Sequence, residues 1–284
     1  MSFWWNHFKV NNLALYLILL LAVVNYLFLI VANNTSLLNT FVKMDYIFAL
    51  MNLNNFMPII FLTNTLFTFL FVLEFVSVVV FYKFVVSKVW TIKDNTNVNN
   101  FLLFRNLPNY YLNMMFFQYW STFFSSVLIV FSLISYIYLY NTTEWFLLNL
   151  LNNISLQSGS LFINKLNSLI LIFVLVFAFL IKIGFTPIHL YKVEVYKGLP
   201  FFAIFFYTTY YFLVYFLFFI LFILVYFNSF SVYWFYVLTL VIIVSFFFIL
   251  SLLFGLNYLK SFFAYSSIVN SLAFVSLIVA LLNV

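Results

Sequence analysis

Long apolar stretches make up most of the chain, and shorter segments richer in Asn, Thr, Ser and Lys separate them. Each stretch is close to the ~20 residues that a helix needs to cross the hydrocarbon core of a bilayer. The pattern therefore predicts an all-α, polytopic membrane protein with about eight transmembrane helices, forming a single membrane domain over residues 1–284. The predicted spans are 11–32, 45–63, 65–88, 113–140, 166–191, 199–227, 231–255 and 260–282.

The second and third spans leave an alternative open. Residues 56–81 could instead form one helix with Asn64 inside it. Two longer connections, 89–112 and 141–165, are rich in Asn, Thr and Ser, which is typical of surface loops or of helices lying at the membrane interface.

The basic residues favour the version with eight spans. Eight of them then fall on one side of the membrane and two on the other, as expected if the basic side is the inner one. This assignment places both termini on the outer side. The larger set is Lys43, Lys83, Lys88, Lys93, Arg105, Lys192, Lys197 and Lys260, and the smaller set is Lys9 and Lys165.

Composition narrows the class of protein further. Only 6% of the 284 residues are charged, whereas soluble domains have roughly 25%. Soluble enzymes and nucleic-acid-binding proteins are therefore excluded, and the net charge of +6 reports orientation in the membrane rather than a nucleic-acid partner. The 45 Phe, 21 Tyr and 4 Gly indicate bias towards A/T-rich codons, as in an organelle genome.

Two charged residues lie inside predicted spans. Glu74 is near the middle of the third span, and Lys182 is in the fifth. A charge at the bilayer centre costs about 2.5–3.5 kcal/mol or more unless it is paired or hydrated, and such residues often line ion or proton paths. The alternative is a structural ion pair, or a side chain that reaches the interface.

The backbone is irregular directly after Lys182. Four of the eight Gly and Pro residues of the chain fall within 17 residues, at Gly184, Pro187, Gly198 and Pro200. Proline removes a helical hydrogen bond, so we expect a broken helix at 182–189. Broken helices are tolerated at membrane depth only where protein or a cavity surrounds them, and they recur in transporters.

His189 follows this predicted break. Imidazole accepts and releases protons near neutral pH, so His189 is a candidate relay residue, with simple hydrogen bonding as the alternative. The sequence holds no cysteine, phosphate-binding glycine loop or His/carboxylate cluster. We therefore expect no metal or cofactor on this chain.

Four motifs resemble one family, the antiporter-like membrane subunits of respiratory complex I. Residues 182–191 resemble its K-[IL]-G-x-x-P-F-H-x-W signature, and 259–268 resemble L-K-x-x-L-A-Y-S-S-I. Residues 194–200 resemble D-V-Y-x-G-x-P, which points to NADH dehydrogenase subunit 2. The stretch 66–82 resembles the family helix with a central glutamate, here Glu74.

The resemblance implies a proton-translocating module of the mitochondrial inner membrane. In that family the glutamate pairs with the lysine of the broken helix, and a change in the pairing alters the affinity of the lysine for a proton. Glu74, Lys182 and His189 would carry this role here. NADH oxidation and quinone reduction would take place on other subunits of complex I. The partners of this chain would be those membrane-arm subunits and the membrane lipids.

The chain also departs from the family pattern. Phe212 and Gln118 occupy positions of two family lysines, and the late helix with G-x-P-P-x-x-G-F is absent before Val284. One interpretation is a divided subunit, completed by a second polypeptide. Another is a structural spacer of complex I that no longer pumps. A third is a stand-alone cation/proton antiporter, which should have kept the lysine at the position of Phe212.

Overall fold

Helices form nearly all of the regular structure in the computed structural model, which describes residues 2–34, 40–93, 107–157, 162–185, 189–223, 231–253 and 259–282. They are α1 (Asn12–Asn34), α2 (Thr40–Phe56), α3 (Leu66–Lys93), α4 (Leu107–Tyr140), α5 (Trp145–Gln157), α6 (Phe162–Ile183), α7 (Leu190–Gly198), α8 (Phe201–Phe206), α9 (Phe212–Leu221), α10 (Ser231–Leu253) and α11 (Leu259–Leu282). A short hairpin of β1 (Ser2–Phe3) and β2 (Phe8–Lys9) precedes them.

The predicted all-α, multi-span architecture is confirmed. Among the described residues, seven helices are long and apolar enough to cross a membrane, and an eighth apolar helix, 167–183, is shorter. Many large apolar side chains on these helices are exposed, as a surface in contact with lipid requires.

The alternative of one helix over 56–81 is wrong. α2 leads into a 3₁₀ turn at Met57–Leu62, and α3 starts only at Leu66. Pro58 lies in the first turn of the 3₁₀ segment, where its missing N–H leaves no bond unmade. Residues 44–62 and 66–87 are therefore separate spans, as the distribution of basic residues favours.

The predicted span over 166–191 is corrected by the structure, which divides it into two helices. α6 ends at Ile183, and Gly184 adopts a φ of +81°. In this left-handed conformation the N–H groups of Gly184 and Phe185 both donate to the carbonyl of Leu180, at 3.0 and 2.9 Å, and close the helix end. The predicted break at 182–189 is thus confirmed, although Pro187 lies outside the described residues.

One end of the bundle is closed by the hairpin, which the sequence pattern did not predict, and by α5, which lies in a connection for which the pattern allowed an interfacial helix. Phe8 of the hairpin pairs with Thr63, and Thr65 pairs with Glu144 just before α5. Between them, the Asn64 N–H donates to the carbonyl of His7 at 2.9 Å. The connection 141–165 therefore contains a packed helix, α5, which contacts α6.

Large aromatic side chains fill the bundle core. The rings of Phe69 and Phe218 stack with centroids 4.8 Å apart, and Phe179 and Trp145 lie against Phe69 at 5.8 and 5.3 Å. Aromatic pairs of this kind add specific geometry to ordinary apolar packing. Gly198 permits a close backbone approach, where α7 meets α4.

We expect Gly198→Ala to destabilise the protein. An added Cβ would lie 2.5 Å from the Met114 Cβ and 2.8 Å from the Tyr110 carbonyl oxygen, so helix α7 would have to move away from α4. Overpacking of this kind costs about 1–3 kcal/mol. Thermal unfolding of the detergent-purified chain measures the effect. The exposed Leu190→Ala on the same helix is the control, and equal midpoints for the two variants would contradict the prediction.

Candidate functional site

Lys182 lies in the last turn of α6, next to the helix break. Its side chain has 0% exposure, and its Nζ has no hydrogen-bond acceptor among the described residues. A cation in the last turn faces the negative end of the helix dipole, which offsets part of the cost of its burial. The position of the break therefore helps to hold this ammonium inside the bundle.

Glu74 of α3 is the carboxylate nearest to Lys182. The distance from Lys182 Nζ to Glu74 Oε1 is 3.9 Å, which is an ion pair but too long for a hydrogen bond. The Glu74 side chain is 41% exposed, while Lys182 is fully enclosed. The pair is thus attractive but not locked by a direct hydrogen bond.

A groove between α3 and α4 contains the Glu74 side chain. Ser77, Tyr119, Thr122 and Ser126 line it with several apolar neighbours, and its volume is about 220 Å³. Hydroxyl groups and water in such a groove can solvate a carboxylate that would otherwise face lipid. The pair Glu74–Lys182 therefore joins a groove that carries hydroxyl groups to an enclosed interior.

His189 lies on the far side of the break, as predicted. It is 1% exposed, and its ring centroid is 6.0 Å from that of Tyr265 on α11. Its carbonyl accepts a hydrogen bond from the Lys192 N–H at 2.9 Å at the start of α7. The structure brings Glu74 and Lys182 together directly, and it places His189 in the core beside the motif 259–268.

A cluster of four buried tyrosines adjoins the break, and we call it the tyrosine cluster: Tyr191, Tyr207, Tyr211 and Tyr215. The Tyr191 hydroxyl donates to the Ile181 carbonyl at 2.5 Å. The rings of the other three follow one another, with centroids 4.8 and 4.6 Å apart. The i, i+4 spacing of those three residues is the signal in the sequence that could have found them.

Two lysines that the sequence analysis placed at the inner surface are instead buried. Lys83 is enclosed, with its Nζ 2.7 Å from the Phe206 ring centroid and 5.2 Å from that of Tyr46. Lys192 on α7 is 2% exposed, and its Nζ lies 5.7 Å from the centroid of Phe212. Neither lysine lies at the membrane surface, so neither should be counted among the basic residues of the inner side. The unequal distribution of basic residues between the two sides therefore rests on fewer residues than predicted.

Phe212, which stands at a family lysine position, has an apolar environment. Its ring stacks on Phe216 at 5.6 Å and lies 6.1 Å from Phe274 of α11. Gln118, at the second such position, is buried on α4. Within the part of the chain that the structure describes, no group of three or more His, Cys, Asp or Glu side chains is arranged to hold a metal ion.

Comparison with known proteins gives two similarities. Residues 100–283 match the family described as NADH:quinone oxidoreductase/Mrp antiporter, TM, and this match includes Lys182 and His189. A Paramecium tetraurelia protein, named Uncharacterized mitochondrial protein ORF4, is 36% identical over 80 residues. Those residues are 28% of this chain and 51% of that protein, so the chain spans about half the length of the relative.

Removing one member of the pair should cost more stability than removing both. Glu74→Gln leaves the Lys182 ammonium enclosed without its carboxylate. Loss of one partner from a fully buried pair costs about 3–5 kcal/mol, and the 41% exposure of Glu74 lowers that cost here. We therefore expect the double variant Glu74→Gln/Lys182→Met to regain most of the thermal stability lost in Glu74→Gln. Additive losses in this double-mutant cycle would mean that the two groups do not interact.

Proposed function

Because the chain belongs to the NADH:quinone oxidoreductase/Mrp antiporter family of membrane proteins, we propose that it is a membrane-arm subunit of mitochondrial respiratory complex I. We propose further that it is of the subunit 2 type and contributes to proton translocation. The single observation that carries the proposal is the Glu74–Lys182 pair at 3.9 Å, set against a helix break within a protein of several spans.

The motifs in the sequence support the subunit type. Residues 194–200 resemble D-V-Y-x-G-x-P and follow the broken helix directly. The relative from Paramecium tetraurelia carries the word mitochondrial in its name, and the A/T-rich codon bias is typical of an organelle genome. These observations support a location in the mitochondrial inner membrane.

The mechanism follows from the unequal environments of the two charges. Lys182 is enclosed, whereas Glu74 reaches a groove lined by hydroxyl groups. When the carboxylate lies near the ammonium, the charged form of Lys182 is stabilised, and when it turns towards the groove that support is lost. Movement of Glu74 between these positions would load and release one proton at Lys182.

His189 would extend the path on the far side of the break. Its imidazole is buried beside Tyr265, and it is able to accept a proton and pass it on. In this proposal NADH oxidation and quinone reduction take place on other subunits, and the chain carries no cofactor of its own. Its partners are neighbouring membrane-arm subunits.

One observation favours a second candidate function. Phe212 stands where the family has a lysine, and its ring lies in an apolar stack with Phe216. Phenylalanine carries no proton, so a structural spacer that couples neighbouring pumps without moving a proton is the competing proposal. A stand-alone cation/proton antiporter is the third, and the first experiment below separates it from both.

We expect the chain to migrate with an NADH-oxidising assembly. Mitochondrial membranes are solubilised in mild detergent, separated on a native gel and stained for NADH oxidation, and the active band is analysed by mass spectrometry. A small hydrophobic companion with the G-x-P-P-x-x-G-F motif in the same band would support a divided subunit. Absence of the chain from every NADH-oxidising band would refute complex I membership and favour a separate antiporter.

Lys182→Met should lower the number of protons translocated per NADH oxidised while the complex remains assembled. The reason is that methionine fills the same volume but binds no proton. Glu74→Gln should give a defect of the same kind. Lys197→Met is the control, because Lys197 is half-buried on α7 and paired with Glu194 at 2.6 Å, away from the pair. An unchanged proton ratio in assembled Lys182→Met complex would favour the spacer.

A further inference from the structure

Lys192 is a buried lysine for which the mechanism above has no use. We propose that it is a second proton-carrying residue of this module, connected to the Glu74–Lys182 pair by the tyrosine cluster. This inference rests on the proposed function, and it assigns a route through the interior that avoids Phe212.

The side chain of Lys192 points back towards the helix break. It is on α7, six residues before the glycine that ends this helix, and its exposed fraction is 2%. A Cβ built on Gly184 would lie 2.9 Å from the Lys192 Cδ, so the stem of the lysine runs directly past the end of α6. A lysine that reached the membrane surface would keep its ammonium in water, and this one does not.

The surroundings of Lys192 do not support a purely structural role for a permanently charged ammonium. Among the described residues, the ion pairs within 4.0 Å are Lys182–Glu74 and Lys197–Glu194, and neither includes Lys192. Its Nζ lies over the ring of Phe212, 5.7 Å from the centroid. A permanently charged ammonium in such a place is costly to desolvate, whereas an amine that gains and loses a proton carries that cost only while it is charged.

The tyrosine cluster begins beside Lys192. The Tyr191 hydroxyl would lie 3.0 Å from a Cβ built on Gly184, the position that the Lys192 Cδ approaches to 2.9 Å. The same hydroxyl lies 3.4 Å from the Lys182 carbonyl oxygen. Tyr191 therefore contacts the last turn of α6 and the stem of Lys192 from one position.

The other members of the cluster follow one another along the next helix. The ring centroids of Tyr207 and Tyr211 are 4.8 Å apart, and those of Tyr211 and Tyr215 are 4.6 Å apart. All three side chains are buried. The hydroxyls of Tyr207 and Tyr215 have no hydrogen-bond partner among the described residues, and in the proposed route water bridges them to Tyr191 and to the Glu74–Lys182 pair.

The backbone of the tyrosine cluster departs from regular α-helical geometry. Tyr207–Tyr211 forms a π-helical turn between α8 and α9. Such turns insert one extra residue into a helix, change the direction in which side chains point, and occur frequently at functional sites. The turn here carries Tyr207 and Tyr211, two members of the cluster.

The proposed transfer conserves protons and charge. An N–H bond of the Lys182 ammonium breaks, and a hydroxyl oxygen of the cluster, or a water beside it, takes the proton and releases its own to the next oxygen. At the end an N–H bond forms on the neutral amine of Lys192. The tyrosines are unchanged, one positive charge has moved from Lys182 to Lys192, and no oxidant or reductant takes part.

The test measures protons translocated per NADH in assembled complex with Lys192→Met, Lys192→Arg and Lys182→Met. We expect all three to lower the ratio to a similar value, and Lys182→Met/Lys192→Met to lower it no further, because both lysines serve one route. Arginine keeps the charge but does not release a proton in proteins, so it separates proton transfer from a structural need for a cation. Lys197→Met on the same helix should retain the normal ratio.

The outcomes separate this inference from the proposed function. A lowered ratio in Lys182→Met with a normal ratio in Lys192→Met, or in Lys192→Arg, would overturn the role of Lys192 and leave the proposed function standing. A normal ratio in every variant would overturn both. If Lys192 variants fail to assemble, the triple variant Tyr207→Phe/Tyr211→Phe/Tyr215→Phe decides, since it removes only hydroxyl groups. A normal ratio in that variant overturns the route, and a lowered one supports it.

Discussion

The need to keep charge and unpaired backbone away from lipid is the constraint on which the rest of this structure depends. Lys182 brings an ammonium to the end of α6, and Gly184 ends that helix inside the bundle through a left-handed turn. Both features are tolerated only where protein surrounds them. Among the seven long apolar spans of the described residues, 203–221, which carries Tyr207, Tyr211 and Tyr215, is the most buried, while the span in α10 is the least buried. The helix break also stabilises the charge, because the end of α6 supplies the dipole that the Lys182 ammonium faces.

Aromatic side chains take over the packing role that small residues have in many membrane bundles. Phe69, Phe218 and Trp145 fill the space between helices, and Gly198 is the position where α7 and α4 approach too closely for a side chain. This packing also shapes the chemistry. Rings that enclose Lys83 and Lys192 exclude water from two ammonium groups, while the hydroxyls of the tyrosine cluster bring polar atoms into the same core. A core rich in Tyr rather than Phe alone can thus be both tightly packed and partly polar.

The candidate site is asymmetric in its access to water. Glu74 reaches a groove with Ser77 and Thr122, whereas Lys182 and His189 are enclosed. A separation of 3.9 Å lets the carboxylate influence the ammonium without a direct hydrogen bond to break. This arrangement suits a carboxylate that responds to changes in the groove and thereby alters the stability of the charge on the enclosed Lys182. Phe212 closes one direction with an apolar stack, so any internal route has to pass elsewhere.

The sequence by itself determined the membrane class, the approximate spans and the position of the helix break, because hydrophobic run length and Gly/Pro placement are local properties of the chain. It also indicated the partnership of Glu74 and Lys182, since two charges in otherwise apolar spans are expected to meet. Only the tertiary structure decided that Lys83 and Lys192 are buried and that Tyr207, Tyr211 and Tyr215 face inward. A helix that is apolar on every side carries no pattern that distinguishes its inward face from its lipid face. Which side chains enter the core therefore depends on how the helices pack against one another, and the residue pattern of a single helix does not determine that packing.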